Sequence, residues 1–187
     1  GLPGDERDIE LHLKLLADAA LVGLPNAGTS SLVSRLSNAR PKVADYPFTT
    51  LQPVLGTVES ADGRQLVIAD VPGLIEGASE GVGLGHEFLA HLERARTLVH
   101  VIDASHPIEE QWRTIDGELG AYGAGLGERP QIVVLNKVDL VPDPVFEIDD
   151  PRVIAVFRLS CATGEGIDEF RRRLFSLVPE PEVEERG

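Results

Sequence analysis

The sequence predicts an α/β fold, with a mostly parallel six-stranded sheet, one antiparallel edge strand and helices on both faces. Short apolar runs that end in polar or turn-forming residues alternate along the chain with segments of helical period. This alternation is typical of βαβ units, which build parallel sheets. Ligand sites in such folds lie at the carboxyl ends of the strands, where we therefore look for functional residues.

Each element follows from its own pattern. Continuous apolar runs predict strands buried on both faces at residues 19–22, 66–69, 98–102, 132–135 and 153–157. Residues 55–59 and 65–70, joined by Asp62-Gly63, predict a hairpin that supplies the antiparallel edge. Apolar residues at helical spacing predict helices within residues 32–36, 84–95, 108–122 and 167–178. Alternation over residues 9–15 predicts one more strand, which needs a partner.

Composition restricts the class of protein. The 187 residues are 42% hydrophobic and 26% charged, which is ordinary for a folded globular domain and excludes intrinsic disorder. No apolar run approaches the roughly 18 residues of a membrane span. The net charge of −14 repels phosphate backbones and anionic lipids, so we expect neither direct DNA binding nor membrane binding. Cys161 is the only cysteine, which excludes an internal disulfide and suits a reducing cytoplasm.

The two ends indicate a piece of a longer protein. The chain contains no Met and starts at Gly1, and we expect further sequence before it. The residues after Pro179 are acidic and include a second proline, which is typical of a linker.

A glycine-rich turn follows the first strand and opens a helix. Residues 23–31 nearly match the phosphate-binding pattern G-x-x-x-x-G-K-[ST], in which backbone N–H groups at a helix N-terminus surround a phosphate. Thr29 stands in the place of the lysine, and Ser30 keeps the hydroxyl that ligates Mg²⁺. The candidate nucleotide-binding residues here are Gly23, Pro25, Asn26, Ala27, Gly28, Thr29, Ser30 and Ser31.

A second phosphate-side motif lies at the end of another predicted strand. Asp70-Val71-Pro72-Gly73 has the D-x-x-G spacing. The Asp70 carboxylate can hold Mg²⁺ through water, and the Gly73 N–H can face a γ-phosphate.

Base recognition is predicted at the ends of two further strands. In Asn136-Lys137-Val138-Asp139, Asp139 can accept hydrogen bonds from guanine N1–H and its amino group, Asn136 braces the loop, and the Lys137 stem covers the ring. Adenine lacks those two donors, so the element selects GTP and GDP over ATP. A backbone N–H that can reach the guanine oxygen is expected at Ser160, Cys161 or Ala162.

With these motifs, the chain resembles the G domain of the Obg (CgtA) family of ribosome-associated GTPases, in the translation-factor branch of P-loop GTPases. The resemblance covers nearly the whole chain. Its most specific pieces are GLPG at 1–4, KLLAD at 14–18, DYPFTTL at 45–51, DVPGLIEG at 70–77 and GHEFL at 85–89. It implies the three-layer fold of P-loop GTPases, Mg²⁺-dependent hydrolysis of GTP to GDP and phosphate, and the large ribosomal subunit as partner.

The resemblance also divides the chain. Residues 1–16 would be the end of a missing N-terminal domain and a linker, and residues 17–179 the GTPase domain. Residues 180–187 would be an acidic linker to a missing C-terminal region.

Further roles come from the resemblance alone. Thr49 or Thr50 would ligate Mg²⁺ from switch I, and we favour Thr50. Leu74 occupies the place where many GTPases have a glutamine that orients water, so Asn26 is expected to help bind K⁺ beside the phosphates. The candidate catalytic residues are Asn26, Thr50 and Gly73, and the candidate metal ligands are Ser30, Thr49, Thr50 and Asp70.

Thr29 leaves two interpretations open. In the preferred one the chain is a slow GTP hydrolase that acts as a switch. In the alternative, loss of the lysine ammonium that bridges the β- and γ-phosphates makes it a nucleotide-binding or scaffold module with little or no hydrolysis.

Overall fold

The computed structural model describes residues 17–44, 52–70, 95–123 and 125–181. The predicted strand at residues 9–15 and all of the predicted helix at 84–95 except Ala95 lie outside these ranges. So do the acidic residues from 182 onward.

In the part of the chain that the structure describes, seven strands form one sheet in the order β2-β3-β4-β1-β5-β6-β7. Their bounds are β1 Ala19–Val22, β2 Lys42–Val43, β3 Val54–Glu59, β4 Gln65–Asp70, β5 Thr97–Asp103, β6 Gln131–Asn136 and β7 Val153–Arg158. The pairs β4-β1, β1-β5, β5-β6 and β6-β7 are parallel, whereas β3 is antiparallel to both β4 and β2. The predicted mostly parallel sheet with an antiparallel edge is therefore confirmed.

The sheet contains one strand more than the six predicted. Strand β2 has only two residues, and both are exposed, so no apolar run marks it in the sequence. It forms because Lys42 and Val43 pair with Leu55 and Val54 of the β3-β4 hairpin.

Within the described ranges, three α-helices cover the sheet: α1 Thr29–Leu36, α2 Ile108–Tyr122 and α3 Ile167–Leu177. A short 3₁₀ helix, Leu126–Glu128, follows α2. Each α-helix has an apolar stripe at helical spacing; in α3 it consists of Ile167, Phe170, Leu174 and Phe175. No helix in the described ranges is long and apolar enough to cross a membrane.

Two hydrophobic layers fill the space between the sheet and the helices. Side chains alternate between the faces of a strand, so Leu21 packs in the layer under α1 and α3 while Ala20 packs in the layer under α2. Burial on both faces explains why the central strands read as continuous apolar runs. The parallel pairing of β1 with β5 and of β5 with β6 places their carboxyl ends at one edge of the sheet, where the candidate site lies.

The connection from β6 to β7 has no helix; residues 144–150 are irregular. Phe146 and Ile148 of this connection pack against the buried cluster that contains Trp112 and Val133. This segment therefore covers part of the β6-β7 side of the sheet without regular structure.

Candidate functional site

A cavity of about 560 Å³ opens at the carboxyl edge of the sheet, between the turn before α1 and the loops after β6 and β7. Most of the predicted nucleotide-binding residues line it. The lining residues are Asn26, Gly28, Thr29, Ser30, Ser31, Asn136, Lys137, Asp139, Leu140, Cys161 and Ala162. Its size is in the range of sites that bind small molecules.

The phosphate-side wall of the cavity is the turn at residues 23–29. Gly28 has a φ of 103°, and a Cβ there would collide with the Asn136 amide. Only glycine therefore allows the turn to pass this close to the base-side loop. Pro25 and Asn26 are exposed at the tip of the turn, and Ala27 is buried beneath it. The turn leads directly into α1. The first N–H groups of this helix have no partners within the helix and can bind an anion.

Asp70 lies at the end of β4 and is 5% exposed. Burial raises the pKa of Asp70, and a hydrogen bond from the Thr29 side chain opposes that rise. A buried carboxylate with a neutral hydroxyl partner, together with the Ser30 hydroxyl at the cavity wall, suits a Mg²⁺ ion that takes its remaining ligands from phosphate and water. Within the described ranges no group of three or more His, Cys, Asp or Glu side chains could hold a metal by itself.

Asn136 joins the two sides of the cavity. Its Nδ2 donates to the Ala27 carbonyl at 2.9 Å, and its Oδ1 accepts from the Cys161 N–H at 3.0 Å. The side chain is 2% exposed, so these bonds form away from water. Asn136 thus braces the phosphate-side turn against the loop after β7.

The other base-side residues also have side-chain or backbone partners. Ser160 Oγ donates to Asp139 Oδ1 at 2.6 Å, which orients the carboxylate. The Ser160 N–H bonds to Glu165 O and the Cys161 N–H to Asn136, which leaves the N–H of Ala162, a lining residue. Of the three predicted donors to the guanine oxygen, Ala162 is therefore the one available.

The Cys161 side chain is buried and packs within the protein. It is 9% exposed, and burial raises the pKa of its thiol to about 11. The thiol is therefore neutral at physiological pH and a poor nucleophile.

Arg35 is a site residue that sequence reasoning missed. From α1 it donates through Nε to the Cys161 carbonyl at 2.8 Å and through a terminal nitrogen to the Ala162 carbonyl at 3.0 Å. These bonds tie the helix of the phosphate side to the loop of the base side. No local signal could have found Arg35, because 126 residues separate it from Cys161.

Asp103 is a second missed residue, at the carboxyl end of β5. Its Oδ2 accepts from Lys137 Nζ at 2.6 Å, and its Oδ1 accepts from the N–H and hydroxyl of Ser105. Burial alone would raise the pKa of Asp103, but the bonds from Lys137 and Ser105 lower it to about 2. An aspartate at the end of a buried strand was the available signal, and the nucleotide motifs did not call for it.

Three predicted residues lie outside the described ranges: Thr49 and Thr50, the candidate switch I ligands, and Gly73, the candidate γ-phosphate contact. Their roles stay predictions. Leu74 and the glycines that follow it also lie outside.

Comparison with known proteins decides the family. Residues 18–137 match the family described as 50S ribosome-binding GTPase. The chain belongs to this family. A protein called GTPase Obg from Synechococcus elongatus is 51% identical over 96% of the chain and 54% of its own length. One from Moorella thermoacetica is 52% identical over 95% of the chain and 44% of its own length.

The predicted resemblance to an Obg G domain is thereby confirmed, and the chain spans about half the length of the curated relatives it matches. Solved structures support the fold. The solved structure of the cytosolic domain of the T. maritima FeoB iron transporter aligns with 88% of the present chain, and the alignment covers 65% of the FeoB chain. The TM-score is 0.64 at 24% sequence identity.

Proposed function

We propose that this chain is a guanine-nucleotide switch that binds GTP and hydrolyses it to GDP and phosphate with Mg²⁺. The observation that carries the proposal is the position of Asn136, whose amide bonds both the Ala27 carbonyl and the Cys161 N–H. One side chain thereby holds a phosphate-binding turn and a guanine-type loop on opposite walls of one cavity. A nucleotide is the ligand that presents phosphates and a base at those two walls.

On the base side, Asp139 accepts from guanine N1–H and the amino group, and the Ala162 N–H donates to the guanine oxygen. The bond from Ser160 sets the direction of the Asp139 carboxylate before the base arrives. Adenine would leave a carboxylate without donors in a closed site, which costs more than a lost contact in water. The pattern supports GTP and GDP as ligands over ATP and ADP.

On the phosphate side, the N–H groups of residues 28–31 would surround the phosphates, whereas the Ala27 N–H already bonds the Leu24 carbonyl at 3.1 Å. Ser30 and Asp70 would hold the Mg²⁺. When bound, Mg²⁺ would neutralise negative charge that develops on the phosphate oxygens during hydrolysis. We place Thr50, with Thr49 as the other candidate, as a further ligand, and Gly73 beside the γ-phosphate. Asn26 at the exposed tip of the turn would hold a K⁺ ion whose charge supplements that of the metal.

The alternative of a nucleotide-binding module with little hydrolysis also has a specific observation behind it. No lysine lines the phosphate wall in the described part of the chain: Thr29 hydrogen-bonds Asp70 there, and Lys137, at the base side, donates to Asp103. The lysine of the family pattern would contact the β- and γ-phosphates. Its absence should weaken the triphosphate state more than the diphosphate state, because the γ-phosphate loses a cation.

We propose the assembly of the large ribosomal subunit in the cytoplasm as the setting. The family description, 50S ribosome-binding GTPase, supports a ribosomal partner. The net charge of −14 argues that the domain itself contributes little to nonspecific RNA affinity. Contact with the ribosome would then depend on the switch segments and on parts of the protein beyond residues 17–179.

Calorimetric titration with GDP, GTP and ADP in Mg²⁺ tests the proposal. We expect GDP to bind at least about a hundredfold more tightly than ADP, because ADP leaves Asp139 unpaired. Single-turnover assays with labelled GTP then separate a hydrolase from a binding module, since only the first releases phosphate faster than the buffer control. Equal affinity for GDP and ADP would refute the guanine assignment.

A further inference from the structure

Lys137 has two unusual features for a residue that is expected only to cover a base. Its backbone has a φ of 66°, in the left-handed region that residues with a side chain seldom adopt. Its ammonium donates to Asp103 Oδ2 at 2.6 Å. Strained backbone at a binding site persists when surrounding contacts require it, and the ion pair with Asp103 is such a contact.

Asp103 is itself held firmly. The Ser105 N–H and hydroxyl bond its Oδ1 at 2.9 Å and 2.6 Å. Its backbone N–H and carbonyl both bond the amide of Gln111, at 3.1 Å and 2.9 Å. Asp103 is 7% exposed, and on its solvent side His106 Nδ1 lies 3.3 Å from the same Oδ2. The carboxylate therefore has one well-defined position.

The sheet brings the two residues together. Strands β5 and β6 are parallel, and their register pairs Asp103 with Asn136. Lys137 is the next residue, and its left-handed backbone turns the chain so that the side chain can reach the end of β5. The ammonium is then fixed at Asp103, while the residue lines the cavity.

We propose that Asp103 is a positioning residue, which anchors the Lys137 ammonium so that the methylene stem forms a rigid wall for the nucleobase. This role rests on the proposed guanine-nucleotide function. A free lysine loses rotamer entropy when its side chain is ordered. With the ammonium already paired, most of that ordering is complete before the nucleotide binds, and affinity rises accordingly.

A purely structural role for the ion pair is the rival explanation, and the chain provides a matched comparison. Asp116 forms a similar pair with Arg152 at 2.8 Å, with its side chain 22% exposed, and neither residue lines the cavity. Asp116→Asn should therefore lower the free energy of unfolding in urea without changing the dissociation constant for GDP by more than about twofold.

The test is a double-mutant cycle on GDP affinity with Asp103→Asn, Lys137→Met and the double variant. Met keeps an apolar stem and loses the charge. We expect each single substitution to weaken GDP binding about tenfold and the double variant to be no weaker than either one, because both remove the same anchor. Ser105→Ala removes only the hydroxyl that orients Asp103 and should weaken GDP binding about threefold. It also provides the test if Asp103→Asn does not fold.

The outcomes separate the two proposals. If the unsubstituted chain does not bind GDP, the guanine-nucleotide function fails and the Asp103 role fails with it. If it binds GDP but Asp103→Asn stays within twofold, or the two single effects multiply in the double variant, only the Asp103 role is overturned. With a nonfolding Asp103→Asn, unchanged GDP affinity in Ser105→Ala overturns it equally.

Discussion

The base side and the phosphate side of the cavity are organised by different means. On the base side, Asn136, Lys137 and Asp139 each have a partner within the protein before any nucleotide binds. On the phosphate side, the surface is mostly backbone, and within the described ranges the buried Asp70 has the Thr29 hydroxyl as its side-chain partner. The base-side side chains are thus held in place by partners within the protein, while the phosphate side presents few ordered side chains.

This difference has a physical origin. A base is recognised by a few directional hydrogen bonds, which require side chains that are held in place. Phosphates carry a large charge, which a helix N-terminus and a metal ion can compensate without many ordered side chains. Thr29 stands where the phosphate-binding pattern has a lysine. Because its hydroxyl is neutral, compensation of the phosphate charge would depend more on bound ions.

The largest effect should come from Asp139, the base-side carboxylate. We expect Asp139→Asn to weaken GDP binding about a thousandfold, because two hydrogen bonds to a charged acceptor are lost. The variant should gain affinity for xanthosine diphosphate, whose N1 and C2 groups suit an amide. Asp149→Asn, at an exposed carboxylate outside the cavity, is the matched control. Unchanged GDP affinity in Asp139→Asn would show that this side of the cavity does not recognise the base.

As the pH falls, the stability contributed by the hydrophobic core should decrease before the Asp103–Lys137 ion pair is lost. His100 is fully buried beside Trp112, and burial lowers its pKa to about 4. An unfolded histidine has a pKa near 6.5, so the unfolded state binds the proton first as pH falls. The stability contribution of neutral His100 is therefore complete above about pH 6.5 and is lost towards pH 4, by about 3 kcal/mol. Asp103, with a pKa of about 2, stays charged throughout.

Urea unfolding at pH 7 and pH 4.5 measures this effect, with His100→Phe as the test variant and exposed His106→Gln as the control. His100→Phe should flatten the acid dependence, whereas His106→Gln should follow the unsubstituted chain. Parallel acid curves for all three proteins would show that another group sets the acid limit.

The smallest effect is expected at Thr29. Thr29→Lys restores a cation beside the β- and γ-phosphates and should tighten GTP binding and raise the single-turnover rate by about tenfold, which is about 1.4 kcal/mol. GDP binding should improve less, because the γ-phosphate is absent. Thr29→Met has a similar length without the charge and should give no gain. If Thr29→Lys also changes nothing, the turn does not bind phosphate, and the scaffold interpretation becomes the better one.

Local patterns predicted much of this molecule. Apolar runs identified β1, β4, β5, β6 and β7 as strands, because strands buried on both faces are mostly apolar. The expected burial on both faces was wrong for β7, where Ile154 and Val156 are exposed because this strand lies at the edge of the described sheet. The turn at residues 23–29 and the loop at 136–139 could be read from spacing, since glycine conformations and hydrogen-bonding side chains have position-specific signatures. The sequence missed β2, whose two exposed residues pair only because the hairpin lies beside them.

What the sequence by itself determined was therefore the order of the elements, the class of sheet and the candidate residues along its carboxyl edge. Only the tertiary structure decided that Asp103 anchors Lys137, that Arg35 bonds the loop after β7, and that His100 is buried without charge. Local propensities act over a few residues of chain. The Asp103–Lys137 contact spans 34 positions of the sequence, and the Arg35–Cys161 contact spans 126. The register of the parallel strands brings the first pair together, and the packing of α1 against the sheet brings the second together.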